Sequence, residues 1–152
     1  MVRTVRNARP EDAETIIDFN CRLATESEGK TLDPDKIRPG VERGLADPNK
    51  ALYFVAENDS SEVIGQIMIT FEWSDWRNGW IWWIQSVYVQ PDCRKQGVFR
   101  ALYHHVKTQA ESHPDVVALR LYVDDDNTAA QETYYRLGMT KSSYFVLERY
   151  PL

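Results

Sequence analysis

The run Val87-Tyr88-Val89-Gln90-Pro91-Asp92-Cys93-Arg94-Lys95-Gln96-Gly97-Val98-Phe99-Arg100 holds the residues best suited to chemistry. An apolar strand enters a short loop with one glycine, and the loop enters a helix. The first N–H groups of a helix have no internal partners, and the helix dipole adds partial positive charge there. Gly97 lets a ligand approach the backbone closely. Arg94, Lys95 and Arg100 add full charges. A junction of this kind is suited to a phosphate or pyrophosphate. A plain strand–helix turn with a solvated basic face is the other reading. The run is not a Walker loop, because the G-x-x-x-x-G-K-[ST] spacing is missing. Nor is it a dinucleotide fingerprint, because it has a single Gly. Cys93 lies beside a cation that would activate a thiol, but its loop belongs to the anion site.

The elements that must position this junction follow from periodicity. Residues 2–7 alternate and form a first strand. Pro10 with Glu11, Asp12 and Glu14 opens a helix, and Ala13, Ile16, Ile17, Asn20, Leu23 and Ala24 carry its stripe to about residue 25. Asp33-Pro34 caps a second helix, with Ile37, Val41 and Leu45 on one face. Strands follow over 51–57, 63–73 and 80–89, the last two as a hairpin around Ser74–Gly79 and the last stopped by Pro91. A helix runs from near Gln96 to before His113-Pro114, then a strand over 116–123. A short helix follows, capped by Asp126 or Asn127 and stopped at Gly138. A last strand covers 144–149. No internal repeat or linker interrupts the 152 residues, so residues 1–152 read as one domain with a core of ordinary size.

Composition narrows the function classes. The net charge is −5, from 18 Lys/Arg and 23 Asp/Glu, which argues against a general nucleic-acid binder. Residues 1–76 hold nine cations and fifteen acids, and residues 77–152 hold nine and eight. Between Cys93 and Ala110 there is no acid, only Arg94, Lys95, Arg100 and Lys107. That window is anion-friendly within an acidic chain. Cys21 and Cys93 have neither disulfide-framework nor metal-ligand spacing, so no metal is expected, and a reducing cytoplasmic setting is. No segment approaches the ~18 apolar residues of a membrane span, and no signal peptide is read at the N-terminus.

Val89-x-Pro91-x-x-Arg94-x-x-Gly97 before a helix resembles motif A of the GNAT superfamily of acyl-CoA N-acyltransferases, whose core is written Q/R-x-x-G-x-G/A. A second signature follows about thirty residues later. Strand Leu119–Val123 leads to Asn127-Thr128-Ala129-Ala130-Gln131-Glu132-Thr133-Tyr134-Tyr135-Arg136-Leu137-Gly138-Met139, similar to the family's N-x-x-A-x-x-x-Y-x-x-x-G-[FM]. The element order matches over essentially the whole chain. The resemblance implies an α/β (α+β) fold: a mixed, mostly antiparallel sheet of six to seven strands, about four helices, and a strand splay that holds CoA. One departure is Phe99, which stands where the family has a second small residue. A ring there would crowd a pyrophosphate unless it turns toward the core.

The same resemblance assigns roles. The main chain of Val87 and Val89 pairs with the amide arm of acetyl-CoA as an added strand would. Arg94 and the N–H groups of Lys95, Gln96, Gly97, Val98, Phe99 and Arg100 hold the pyrophosphate. Asn127 bonds the cofactor arm, a role compatible with an N-cap. Tyr134 falls on the general acid near the cofactor sulfur; a core aromatic is its other reading. Two helical turns separate Asn127 from Tyr134, so both lie on one face.

The implied reaction is acetyl transfer to a primary amine by direct attack in a ternary complex. The amine must lose a proton, a backbone N–H from the strand ending at Val89 stabilises the oxyanion, and a phenol can protonate the leaving thiolate. Family members often place the base on the strand leading into motif A, but Trp80–Ser86 has no acid. Glu72, between Phe71 and Trp73 on the preceding strand, is the candidate base or amine anchor; a solvated strand end is its other reading. Glu26 and Glu28, between the first two helices, suit the wall of a cationic acceptor site. Trp73, Trp76, Trp80, Trp82 and Trp83 either pack the hairpin against a helix or second subunit, or form a cation-binding wall. With the terminal strand they suit a homodimer, and a monomer fits the sequence almost as well. The acceptor is a small-molecule or peptide amine, with no nucleic acid and no membrane as partner. The rival function is a non-catalytic acyl-CoA-binding module of the same fold.

Overall fold

The computed structural model describes residues Met1–Leu152. The chain forms two compact units, Met1–Leu121 and Tyr122–Leu152. The first contains β1 (Val2–Asn7), α1 (Ala13–Glu28), α2 (Pro34–Ala46), β2 (Leu52–Asn58), β3 (Val63–Ser74), β4 (Gly79–Val89), α3 (Val98–Ser112) and β5 (Val116–Leu121). The second contains α4 (Thr128–Arg136) and the residues around it. No helix is long and apolar enough to cross a membrane.

The sheet has five strands in the order β1-β2-β3-β4-β5. The first four are antiparallel meander neighbours, and β5 pairs parallel to β4 after the α3 crossover. This corrects the expectation of six to seven strands. Residues 144–149 are expected as a last strand, yet they form none. Strand propensity is realised only against a pairing edge. The four helices are as expected.

Strand alternation splits the core between the two sheet faces. On one face Tyr53 and Val55 of β2 meet Ile16 and Ile17 of α1 and Val41 of α2. On the other, Phe54 meets His105 of α3 edge-on, with ring centroids 4.9 Å apart, and Gly65 of β3 lies against Val98 and Leu102. Gly79, where the hairpin enters β4, has to be glycine: a Cβ would stand 2.4 Å from Val117 Cγ1 and 2.8 Å from the Asp115 carbonyl oxygen.

Helix boundaries follow local chemistry. Asp33 caps α2 by accepting from the Asp35 N–H. Helix α1 runs three residues past the expected stop at 25 and closes at left-handed Gly29. Helix α3 begins at Val98, not Gln96, because Lys95 and Gly97 are both left-handed, at φ 62° and 82°. Strand β5 ends at Leu121, two residues before the expected Val123.

Candidate active site

Two features of β4 open a site beside the sheet. The parallel ladder with β5 ends at Ile84↔Leu121, while β4 continues to Val89. Gln85–Val89 therefore keep the β3 ladder on one edge and have no β5 residue paired to them on the other. In the same stretch the β3 register jumps from Gln66↔Tyr88 to Met68↔Gln85, so β4 has one extra residue. This is a β-bulge, which leaves a peptide outside the ladder. Its mark is Ser86, in the left-handed region at φ 50°. Gln66, fully buried, fixes the bulge: its Nε2 donates to the Ser86 carbonyl at 3.0 Å.

Past Val89, Pro91–Cys93 makes a single 3-10 turn and the chain reaches the α3 N-terminus. Gly97 is the N-cap of α3 and supplies no side-chain acceptor, and the first turn holds no acid. A Cβ on Gly97 would meet nothing within 4 Å, so conformation, not crowding, demands glycine and the approach is open. The uncapped first-turn N–H groups, with Lys95 and Arg100 exposed beside them, form a positive end facing solvent. An open groove continues along α3 past Gly97, Arg100, Ala101 and His104. Phe99 lies along the helix beside Tyr103, ring centroids 6.2 Å apart. The motif's departure at this position is thus directed along α3.

Arg94 is held on three sides. Its Nε donates to the Val89 carbonyl at 2.9 Å, its Nη2 meets Glu26 Oε2 at 2.5 Å, and its guanidinium sits 5.4 Å from the centroid of the Tyr88 ring. The Tyr88 hydroxyl donates to the other Glu26 oxygen at 2.7 Å. Arg94, then Tyr88, hold the Glu26 carboxyl below the usual carboxylate range. The structure thus brings Glu26 to Arg94 and the strand–helix junction. Glu28 pairs with Lys30 at 2.9 Å instead.

Glu72 lies elsewhere on the sheet. It accepts from Arg120 of β5 at 3.1 Å, and Arg120 sits over Trp83 of β4, 5.9 Å from its centroid. Register puts Glu72 opposite Ile81, and Thr70 opposite Trp83 and within 3.4 Å of Gln85. Glu72, Trp83 and Arg120 form a polar and aromatic patch across three strands. The tryptophans divide. Trp82 is buried against His113 at the end of α3, whereas Trp73 and Trp80 stack edge-on at 5.1 Å and Trp76 is 90 % exposed at the hairpin tip.

In the second unit, Asn127 caps α4 by accepting from the Ala130 N–H at 3.1 Å, and left-handed Gly138 follows the helix end. Tyr134 lies in α4, and burial pushes its phenol up from the usual tyrosine value. Gln66, Tyr88 and Arg120 escaped sequence reading. Gln66 sits in an apolar strand where a buried amide is rare; that polar interruption was the available signal. No cluster of three His, Cys, Asp or Glu side chains suits a metal ion.

The family model described as "Acetyltransferase (GNAT) family" matches residues 15–139. A crystal structure described as a possible acetyltransferase from Clostridium difficile 630 is 41 % identical, superposes with TM-score 0.92, and is matched over 100 % of this chain and 99 % of that one. A predicted acetyltransferase with acetyl-CoA from Clostridium acetobutylicum is similar in fold, at TM-score 0.77, 17 % identity, and 96 % and 95 % of the two chains. So is glucosamine-6-phosphate N-acetyltransferase from Arabidopsis thaliana, at TM-score 0.74, 15 % identity, and 97 % and 98 % coverage. A search of the curated proteins finds no match. A family model spanning most of the chain, and a near-full-length relative at this identity, settle the matter: the chain belongs to the GNAT acetyltransferase family.

Proposed function

We propose that the protein is a cytoplasmic, single-domain N-acetyltransferase that moves the acetyl group of acetyl-CoA to a primary amine, on a small molecule or an exposed amino group. The observation that carries the reading is the coupling, in one stretch of chain, of the β4 bulge, the end of the β5 ladder and the uncapped α3 N-terminus. An open strand edge suits an extended amide-bearing arm, and the uncapped helix end suits a pyrophosphate. In this reading the main chain of Val87 and Val89 binds the arm. Arg94 and the N–H groups from Lys95 to Arg100 bind the phosphates, and Asn127 adds a contact from its side chain. When bound, acetyl-CoA supplies an activated acyl group as a thioester.

The chain's own residues then divide the proton work. A neutral amine attacks the carbonyl carbon, the C–N bond forms, and the C–S bond breaks. An N–H at the β4 bulge meets the negative charge that develops on the carbonyl oxygen. Tyr134, kept protonated by its burial, gives its phenolic proton to the departing sulfur. The amine proton goes to Glu72 or to water. No enzyme nucleophile is needed.

A non-catalytic acyl-CoA-binding module is the second reading. One observation favours it: β4 carries no acid, and Glu72 is already engaged by Arg120. Calorimetric titration with acetyl-CoA, then a thiol-release screen over a panel of amines, separates the two. Thiol release with at least one amine is expected. Binding without release for any amine would establish the module, and no binding would overturn both readings.

A further inference from the structure

We propose that the acceptor amine also carries a carboxylate, and that Arg120 of β5 binds it on the sheet face turned toward α1 and α2. The inference deepens the acetyl-transfer reading and rests on it. Register fixes the face. Tyr53 and Val55 of β2 pack with α1 and α2, and Met68 of β3 joins them. Met68 stands opposite Gln85 of β4, and Thr70 opposite Trp83. Trp83 in turn stands opposite Arg120 in the parallel ladder. Directly opposed residues share a face, and alternate residues of a strand do too. Thr70, Glu72, Trp83, Gln85 and Arg120 therefore line one surface. Helix α3 packs on the other face, where Trp82 meets His113. Past the bulge, α1 closes the surface: Phe19 packs on Tyr88, with ring centroids 5.1 Å apart. An acceptor that reaches the bulge over this face lies across Gln85 and Trp83, and its far end meets Arg120.

Arg120 has the donors for an acid group. Its guanidinium lies over the Trp83 ring, 5.9 Å from the centroid, which holds it in place before a ligand arrives. Glu72 takes only Nη1, in one 3.1 Å contact. The edge formed by Nε and Nη2 has no acceptor in the chain. Such an edge is the fork that meets a carboxylate with two parallel bonds. The Arg120 side chain is 28 % exposed, so a ligand can reach it and little water is displaced. An ion pair of this kind near the surface adds little to stability, so folding alone does not account for an arginine held this way. Glu72 selects the ligand's charge. A dianionic phosphate would meet the Glu72 carboxylate at close range, whereas a carboxylate carries less charge and is planar like the fork. Length follows from the strand. Trp83 precedes Ser86 by three residues, ~10 Å of extended chain. The acid group and the reacting amine are therefore separated by about that distance, as at the two ends of an extended ω-amino acid. Arg120 acts on binding and not on the bond-making step.

Thiol release from acetyl-CoA, with ω-aminooctanoate and its uncharged isostere ω-aminooctanamide as acceptors, tests this. The ratio of kcat/KM for acid over amide is expected to be about tenfold or more in the wild type, carried by KM. In Arg120→Ala the ratio is expected to fall to near unity, again through KM. Arg120→Met keeps the aliphatic stem on Trp83 without the charge and gives the same reading where Arg120→Ala does not fold. Acid and amide used alike by the wild type would overturn the proposal and leave acetyl transfer standing. So would an acid preference that survives in the Arg120 variants. If no amine releases thiol, acetyl transfer itself fails, and calorimetric titration with octanoate decides the site. Binding to the wild type that is lost in Arg120→Met supports a carboxylate site, and equal behaviour of the two chains overturns it.

Discussion

Arg94 would meet a phosphate with two of its donors already engaged, one by Glu26 and one by the Val89 carbonyl. Glu26 stays ionised at neutral pH, being held below the usual carboxylate range first by Arg94 and then by Tyr88. An incoming phosphate therefore meets a cation that is half neutralised. Arg94→Ala is expected to weaken acetyl-CoA binding about tenfold or more, since a charge-assisted contact contributes ~1.5–3 kcal/mol. Glu26→Gln is expected to tighten it several-fold. Calorimetry on both decides the matter, and a weaker Glu26→Gln would make the acid a positioning group for Arg94. Tyr134 predicts a different pattern. Its phenol is pushed up by burial, so it is protonated throughout the neutral range and its titration belongs on the alkaline limb of the rate profile. Tyr134→Phe should leave acetyl-CoA affinity intact and lower kcat by roughly 10²-fold. Steady-state kinetics with a slow acceptor would refute the acid role if turnover were unchanged. Glu72→Gln should lower kcat if Glu72 takes the amine proton, or raise KM if it anchors a cationic acceptor; unchanged kcat and KM would leave Glu72 as the partner of Arg120 alone. At this scale the sequence motifs pointed to Asn127, Tyr134, Arg94 and Gly97. They could not point to the Arg94–Glu26 pair, whose members are 68 residues apart, because no local spacing encodes a contact made by folding.

The β4 bulge is the element on which the proposed chemistry depends, and Gln66 is its brace. The Gln66 amide is fully buried and donates to the carbonyl of left-handed Ser86. Gln66→Leu keeps the bulk but removes that donor, leaving a part-buried carbonyl unpaired. The expected stability loss is ~1–3 kcal/mol in urea titration. A fall in kcat/KM beyond the loss of folded protein is also expected, because the bulge peptide would lose its fixed direction. Full activity in the folded fraction would separate the brace from the chemistry. Elements of this kind mark the boundary of what could be read in advance. Apolar and aromatic runs with turn signals between them located β2, β3 and β4, and Pro91 fixed where β4 stops. The bulge was invisible because Ser86, not glycine, takes the left-handed position. Residues 144–149 show the converse. Their types favour a strand, but propensity carries no information about which edge, if any, is there to pair with.

Across the whole molecule, binding and folding are linked, and this separates the anion site from the catalytic groups without any acceptor being known. A ligand bound only by the folded chain stabilises it by RT ln(1 + [L]/Kd), ~2.7 kcal/mol at a hundredfold excess over Kd. For a chain of this size that raises Tm by roughly 5–10 °C. The local cationic surface near α3 sits in a chain of net charge −5, so attraction of a polyanion is short-ranged and screened by salt. The Tm rise with acetyl-CoA should therefore shrink between low and high ionic strength, while the ligand-free Tm changes less. Gly97→Asp should abolish the rise, because it strains a left-handed N-cap at φ 82° and sets a carboxylate against the α3 N-terminus. Tyr134→Phe should keep the full rise, since the phenol is assigned to the leaving sulfur and not to the phosphates. Differential scanning fluorimetry over a salt series reads all three at once. A Gly97→Asp chain that is folded and still stabilised by acetyl-CoA would place the phosphates away from α3, and a Tyr134→Phe chain without the rise would make Tyr134 a binding residue.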